Sequence, residues 1–217
     1  MKVGTDSVIL GSWTNLDNVH HILDAGTGTG LLALMVAQRA PDAYVDAVEI
    51  DPVAAAQASE NVNASTFSDR IRVYEGDFLE FDKEQVFDLI ICNPPYFSDS
   101  LLPPDSRRGT ARHEGNFGAE SLFEHGSGML HPEGRISLVI PAEMESDLSV
   151  VAGKYGMFPE RILEIYPTPV SIVKRICLEF GRGGQQAVRE KLIIEERGRH
   201  QYSQAYQELT EPFYLPR

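Results

Sequence analysis

Short apolar runs alternate along the chain with stretches whose apolar positions recur at helical spacing, the pattern of an α/β protein built on a mostly parallel sheet. Strands are predicted over residues 22–23, 44–50, 71–74, 89–92, 135–140, 162–166, 172–180 and 189–195. Helices are predicted over 31–36, 52–63, 119–130, 142–155 and 203–209. A short helical lead-in occupies 1–19, with Thr5 or Asp6 as its cap and Val8, Ile9, Leu10 and Trp13 as its apolar face. Pro52 opens its helix in the first turn, where a missing N–H costs nothing. Residues 97–117 have no apolar period and read as a loop, and a loop of that length beside a site suits a substrate lid. No repeat or linker divides the chain. One domain over 1–217 is expected, with 181–217 as a carboxyl-terminal strand and helix extension.

The run Leu89-Ile90-Ile91-Cys92 is continuously apolar, as in a strand covered on both faces. Pro94 and Pro95 end it, since neither donates an N–H and each holds its predecessor extended. Asn93 is thereby placed at the carboxyl end of a central strand, where open α/β sheets bind their ligands. Its side-chain carbonyl and the main-chain carbonyl of Pro94 are both acceptors, and they can converge on one point. An exocyclic NH2 on a flat ring can donate to both while the Tyr96 ring stacks on the ring face, an arrangement for holding an amine as it is alkylated.

Three more predicted strand ends carry acids. Asp24 precedes the turn Gly26-Thr27-Gly28-Thr29-Gly30, which opens a helix. The spacing is not G-x-G-x-x-G, because Leu31 stands where the third glycine would be, and no Gly-Lys-Ser/Thr follows. It suits a ligand whose amino-acid end lies across the turn, with Asp24 facing its ammonium group. Glu49 ends the next strand and can accept from both hydroxyls of a ribose. Asp77 follows the third and can accept from an adenine amino group, with Phe78 packing near the ring. Any one acid alone is compatible with a solvated strand end; three at successive strand ends, each after an apolar strand, are far harder to ascribe to chance.

Charge narrows the partners. The net charge is −13, and the imbalance lies in residues 1–106, with 5 Lys+Arg against 17 Asp+Glu; residues 107–217 carry 14 against 15. Indiscriminate polyanion binding is disfavoured, whereas a local basic face in the second half is allowed. Cys92 and Cys177 fall in predicted strands and read as buried free thiols in a reducing cytoplasm; no metal site is indicated, for there is no CxxC and the histidines are scattered or merely adjacent. No apolar run nears the roughly 18 to 20 residues of a membrane span, and no signal peptide opens the chain.

The ordered set of residues 24–30, Glu49, Gly76-Asp77 and Asn93-Pro94-Pro95-Tyr96 resembles the motifs of class I S-adenosylmethionine-dependent methyltransferases that modify amino groups. Residues 1–13 are similar to the opening motif of the bacterial tRNA (adenine-N6)-methyltransferase group, which modifies the adenine next to the anticodon of a valine tRNA, and 167–175, 178–181 and 202–215 are similar to it as well. The resemblance implies a Rossmann-like, seven-stranded, mostly parallel sheet with helices on both faces, S-adenosyl-L-methionine as cofactor, and tRNA as partner. It implies catalytic roles for Asn93, Pro94 and Tyr96. Cofactor contacts are implied for Thr5, Asp24, Gly26, Gly28, Gly30, Glu49, Asp77, Phe78 and Asn93, and substrate contacts for Tyr96, Phe97, Arg107, Arg108, Arg112, Lys174 and Arg175. The group carries more residues before Lys2-Val3-Gly4-Thr5-Asp6, so an upstream segment is expected. Two other readings stay open: the same site can serve a glutamine amide, as in glutamine-N5 methyltransferases of release factors, or another nucleic-acid amine; or the fold can be a non-catalytic binding module.

Overall fold

The computed structural model describes residues 4–81, 86–94 and 118–214. Its strands are β1 (His21–Ala25), β2 (Tyr44–Glu49), β3 (Ile71–Glu75), β4 (Phe87–Cys92), β5 (Leu130–Pro141), β6 (Phe158–Tyr166), β7 (Arg175–Gly181) and β8 (Val188–Ile193). They form one sheet in the order β3-β2-β1-β4-β5-β7-β6-β8. β7 runs antiparallel to β5 and β6, and every other neighbouring pair is parallel. The carboxyl ends of β1 to β6 and β8 and the start of β7 therefore share one end of the sheet, the end where α/β folds place their sites.

The helices are α1 (Thr5–Trp13), α2 (Leu31–Arg39), α3 (Pro52–Asn63), α4 (Ala119–Gly128), α5 (Glu145–Lys154) and α6 (Gln204–Thr210). Alternation along β4 shows why its sequence is apolar throughout. Leu89 and Ile91 pack in one core with Ile9, Leu10 and Trp13 of α1, Leu32 and Val36 of α2 and Tyr206 of α6. Ile90 and Cys92 pack in a second core with Leu122 and Phe123 of α4 and Leu148 of α5. Leu89 through Cys92 are fully buried, each contributing about 1.5–3 kcal/mol, so the platform under Asn93 is rigid.

Three expectations need correction. The sheet has eight strands, not seven: β8 adds beside β6 in parallel, Arg161 opposite Val188 through Tyr166 opposite Ile193. It covers what would otherwise be the edge of β6 and buries Leu192. Neither Thr5 nor Asp6 caps α1; Gly4 holds that position without a side-chain bond, and Asp6 is engaged by Arg175 instead. The strand predicted from Ile172 begins at Arg175, because the hydroxyls of Thr168 and Ser171 bond at 2.7 Å and the Ser171 amide donates to the Thr168 carbonyl at 3.1 Å, closing a turn.

Cys92 and Cys177 are free and fully buried, and burial pushes both thiols up. Among the described residues no helix is long and apolar enough to cross a membrane, and no group of three or more His, Cys, Asp or Glu residues can hold a metal ion.

Candidate active site

Asn93 follows β4 directly, half-buried, with Pro94 buried behind it. Its amide Nδ2 donates to the Ser7 hydroxyl at 2.7 Å. With Nδ2 so engaged, Oδ1 is the acceptor end of the amide. Ser7 lies in the first turn of α1, which is anchored at its far end: the Trp13 indole donates to Glu190 of β8 at 3.1 Å and lies under the Arg161 guanidinium, 4.4 Å from the ring centroid. The Thr14 hydroxyl, just after the helix, shares a 2.8 Å bond with Ser137 of β5. Ser7 was not among the expected site residues, and no local pattern ties it to a residue 86 positions away. Ser7→Ala should lower the single-turnover rate of the reaction at this site about tenfold, the size of one lost hydrogen bond, and Ser7→Thr should restore most of it. An unchanged rate in Ser7→Ala would mean that other contacts set the amide.

Beside Asn93 the strand ends carry the expected acids in spatial order. Asp24 of β1 pairs in register with Ile91 of β4 and Ala47 of β2. Glu49 ends β2, and Asp77 follows β3. Asn93, Asp24, Glu49 and Asp77 thus step across four adjacent strands, about 14 Å in all. Asp24 is completely buried; its Oδ2 accepts from the Thr27 hydroxyl and from the Ala33 amide at 3.0 Å. Its Oδ1 has no partner among the described residues. Burial raises the Asp24 pKa to about 7; the bonds from Thr27 and Ala33 oppose the shift, and the Glu49 charge adds to it.

The glycine turn is held from below, the Gly26 and Thr27 amides donating to the Val48 carbonyl at 2.9 and 3.0 Å. Gly26 has φ +74°, which only glycine adopts cheaply, and the place where its Cβ would stand is open space. Gly28 and Gly30 also have positive φ. The Glu49 carboxylate accepts from the Gly28 amide at 2.7 Å and from the Asp51 amide at 2.9 Å, which fixes it while leaving a lone pair on each oxygen. Asp77 accepts from the Leu79 amide at 2.9 Å and so caps a single helical turn. An open glycine cradle beside a buried carboxylate oxygen with no partner fits the amino-acid end of S-adenosylmethionine.

Other expected residues lie differently. Phe78 is 4% exposed and packs edge to face on His125, ring centroids 5.0 Å apart, so its face is covered by α4. Ile50, which is not among the expected site residues, stands 52% exposed between Glu49 and Asp51. The sequence reading takes Ile50 as the last residue of the strand, which in the structure ends at Glu49. Thr5 is exposed on the first turn of α1. Arg175 opens β7 and pairs with Asp6 at 3.0 Å, while Lys174 is exposed beside it. Tyr96, Phe97, Arg107, Arg108 and Arg112, with the whole 97–117 lid, lie outside the described residues. An open cleft of about 430 Å³ lined by Asp88, His131 and Arg135 is at the opposite, amino end of the strands and takes no part in this arrangement.

A parallel sheet with one reversed strand, a glycine turn after the first strand and an acid at the end of the second define a class I, Rossmann-like methyltransferase fold. The methyltransferase small domain family model matches residues 4–155. The tRNA1(Val) (adenine(37)-N6)-methyltransferase of Bacteroides thetaiotaomicron is 44% identical over 216 residues, covering 99% of this chain and 91% of that protein. The protein of the same name from Phocaeicola vulgatus is 43% identical over 215 residues with the same coverage. A predicted O-methyltransferase from Agrobacterium tumefaciens shares the fold, with a TM-score of 0.74 over 95% of this chain and 96% of that one at 23% identity. The chain therefore belongs to the methyltransferase small domain family. It is an S-adenosylmethionine-dependent methyltransferase.

Proposed function

We propose that the protein methylates N6 of an adenine in tRNA, the adenine next to the anticodon of a valine tRNA, as the names of its relatives specify for them. The observation that carries the reading is the Asn93 amide at the end of β4, its Nδ2 held by Ser7, beside the row of strand-end acids. The bound cofactor supplies an electrophilic methyl carbon. Asn93 Oδ1 and the Pro94 carbonyl each accept a hydrogen from the exocyclic amine, drawing its lone pair out of conjugation with the ring. Positive charge grows on the nitrogen during transfer, and the same two oxygens bond it more strongly then, which is stabilisation directed at the transition state. No strong base is required first, and the proton departs to solvent afterwards. Tyr96 stacks on the extruded base and offsets an unstacking cost of a few kcal/mol.

Asp24 takes the cofactor's ammonium group, Glu49 its ribose hydroxyls and Asp77 its adenine amine, with Ile50 covering the adenine face. Arg107, Arg108, Arg112, Lys174 and Arg175 meet RNA phosphates, Phe97 adds a second contact to the base, and the enzyme works in the cytoplasm without a metal. The test is to incubate the protein with methyl-labelled cofactor and, in parallel, total tRNA, a release factor and duplex DNA, followed by nucleoside mass spectrometry. Label in N6-methyladenine of tRNA is expected. Label in the release factor alone would make the acceptor a glutamine amide.

A further inference from the structure

The turn between β6 and β7 combines rigidity with exposed apolar side chains. Thr168 and Ser171 close it, the Glu195 amide donates to the Pro167 carbonyl at 3.0 Å, and the Lys174 amide donates to the Ile165 carbonyl at 3.3 Å. Pro167 and Pro169 stiffen it further. From this frame Val170 stands 95% exposed and Ile172 71% exposed, while Val173 between Ile172 and Lys174 turns inward against the core. Both exposed residues are β-branched, with little rotamer freedom to lose on being covered.

Its position relates it to the site. Arg175, the residue after the turn, stands opposite Pro141 at the end of β5, so β7 begins two strands from Asn93, about 10 Å across the sheet, and the turn lies beyond it at the same end of the sheet. The first turn of α1 links the two places through consecutive residues, Asp6 bonding Arg175 at 3.0 Å and Ser7 bonding Asn93 at 2.7 Å. Lys174 is the exposed charge of the turn; of the acids around it, Asp6 is engaged by Arg175 and Glu164 by Arg189.

We propose that Val170 and Ile172 form a docking ledge for the unpaired RNA nucleotides flanking the target adenine, with Lys174 on their phosphate. This rests on the reading of the protein as a tRNA methyltransferase. When the target base leaves its stack, the neighbouring base loses cover on one face, and an apolar side chain on a rigid support replaces the missing contact. The phosphate contact fixes position and register without reading sequence. The ledge holds the neighbour while Asn93 holds the target.

The test uses the full chain, the valine tRNA and the double variant Val170→Ser/Ile172→Ser, with Lys174→Ala as a second variant. For the double variant, KM for tRNA should rise about tenfold, the loss expected from two partly covered apolar side chains, while melting temperature and cofactor affinity hold. A 2-aminopurine placed beside the target adenine should change fluorescence on binding the unaltered protein and respond less with the double variant. Lys174→Ala should lower the salt slope of tRNA binding by about one charge. Unchanged KM and fluorescence in the double variant, with the unaltered protein methylating tRNA, would overturn the ledge and leave the tRNA reading standing. Failure of the unaltered protein to methylate tRNA would overturn both, and methylation of a release factor that responds to the double variant would assign the ledge to a protein partner.

Discussion

Asn93→Ala should lower kcat for tRNA methylation about a thousandfold, the loss seen when a single pre-aimed transition-state hydrogen bond is removed, with cofactor affinity nearly unchanged. The separation follows from geometry. Asn93 sits after β4, whereas the groups suited to the cofactor's polar atoms are on β1, β2 and after β3. Ser7 holds the Asn93 amide by its Nδ2, at 2.7 Å. Asn93→Asp is informative beside it: a carboxylate keeps an acceptor but loses the donor that Ser7 takes up and adds a charge. Cofactor affinity is read by calorimetry and kcat by label incorporation under saturating RNA. Equal loss of both would mean that Asn93 holds up the strand end rather than the substrate.

Asp24→Asn should weaken cofactor binding about a hundredfold at pH 8, the size expected when a buried charge loses its ionic partner. It should also abolish the pH dependence that Asp24 imposes. Burial raises the Asp24 pKa from 3.8 to about 7. Between those values the folded protein holds a proton that the unfolded chain has released. Stability is therefore full below about pH 4 and falls as the pH rises to about 7, by on the order of 4 kcal/mol. An ammonium group needs the ionised carboxylate, so cofactor affinity moves the other way, rising with pH and levelling off above about 7. Thermal melts with and without S-adenosylhomocysteine at pH 5.5 and 8, on both proteins, measure the two slopes. Burial raises the Glu179 carboxyl as well; the difference between parent and Asp24→Asn isolates Asp24. If the two proteins show the same pH dependence of affinity, Asp24 does not face the ammonium group.

Most of the row of polar strand ends is legible in the sequence because each part of it is local. A continuously apolar run ended by two prolines places Asn93 after β4, and Glu49 and Asp77 follow from apolar strands that stop at an acid. What it did not carry depends on contacts between distant segments. Ser7 meets Asn93 only because α1 is strapped across the sheet by Trp13, Arg161 and Glu190, residues from three separate parts of the chain. The segment 189–195 was legible as a strand but not as a member of the sheet: its connection from β7 passes β6, with the Gly183 amide on Glu160 at 2.9 Å, before β8 pairs with β6. Phe78 is expected to pack near a ligand ring from its place beside Asp77, and only the packing of α4 puts His125 against it. At Ile172 the apolar pattern favours a strand, but the Thr168–Ser171 closure decides the local backbone and leaves the side chain in solvent. That error marks the ledge, for an apolar residue that pattern would bury is 71% exposed there.

The grip of Asn93 on the target amine is tested most directly by a double-mutant cycle between Asn93→Ala and replacement of the target adenine by purine, which lacks the exocyclic NH2. Purine cannot be methylated at N6, so the cycle is read in RNA binding to the protein saturated with S-adenosylhomocysteine. Removing the amine should weaken binding to the parent protein and have little further effect on Asn93→Ala, giving a coupling energy of about 1 kcal/mol or more. Strictly additive losses, with no coupling between Asn93 and the amine, would contradict it.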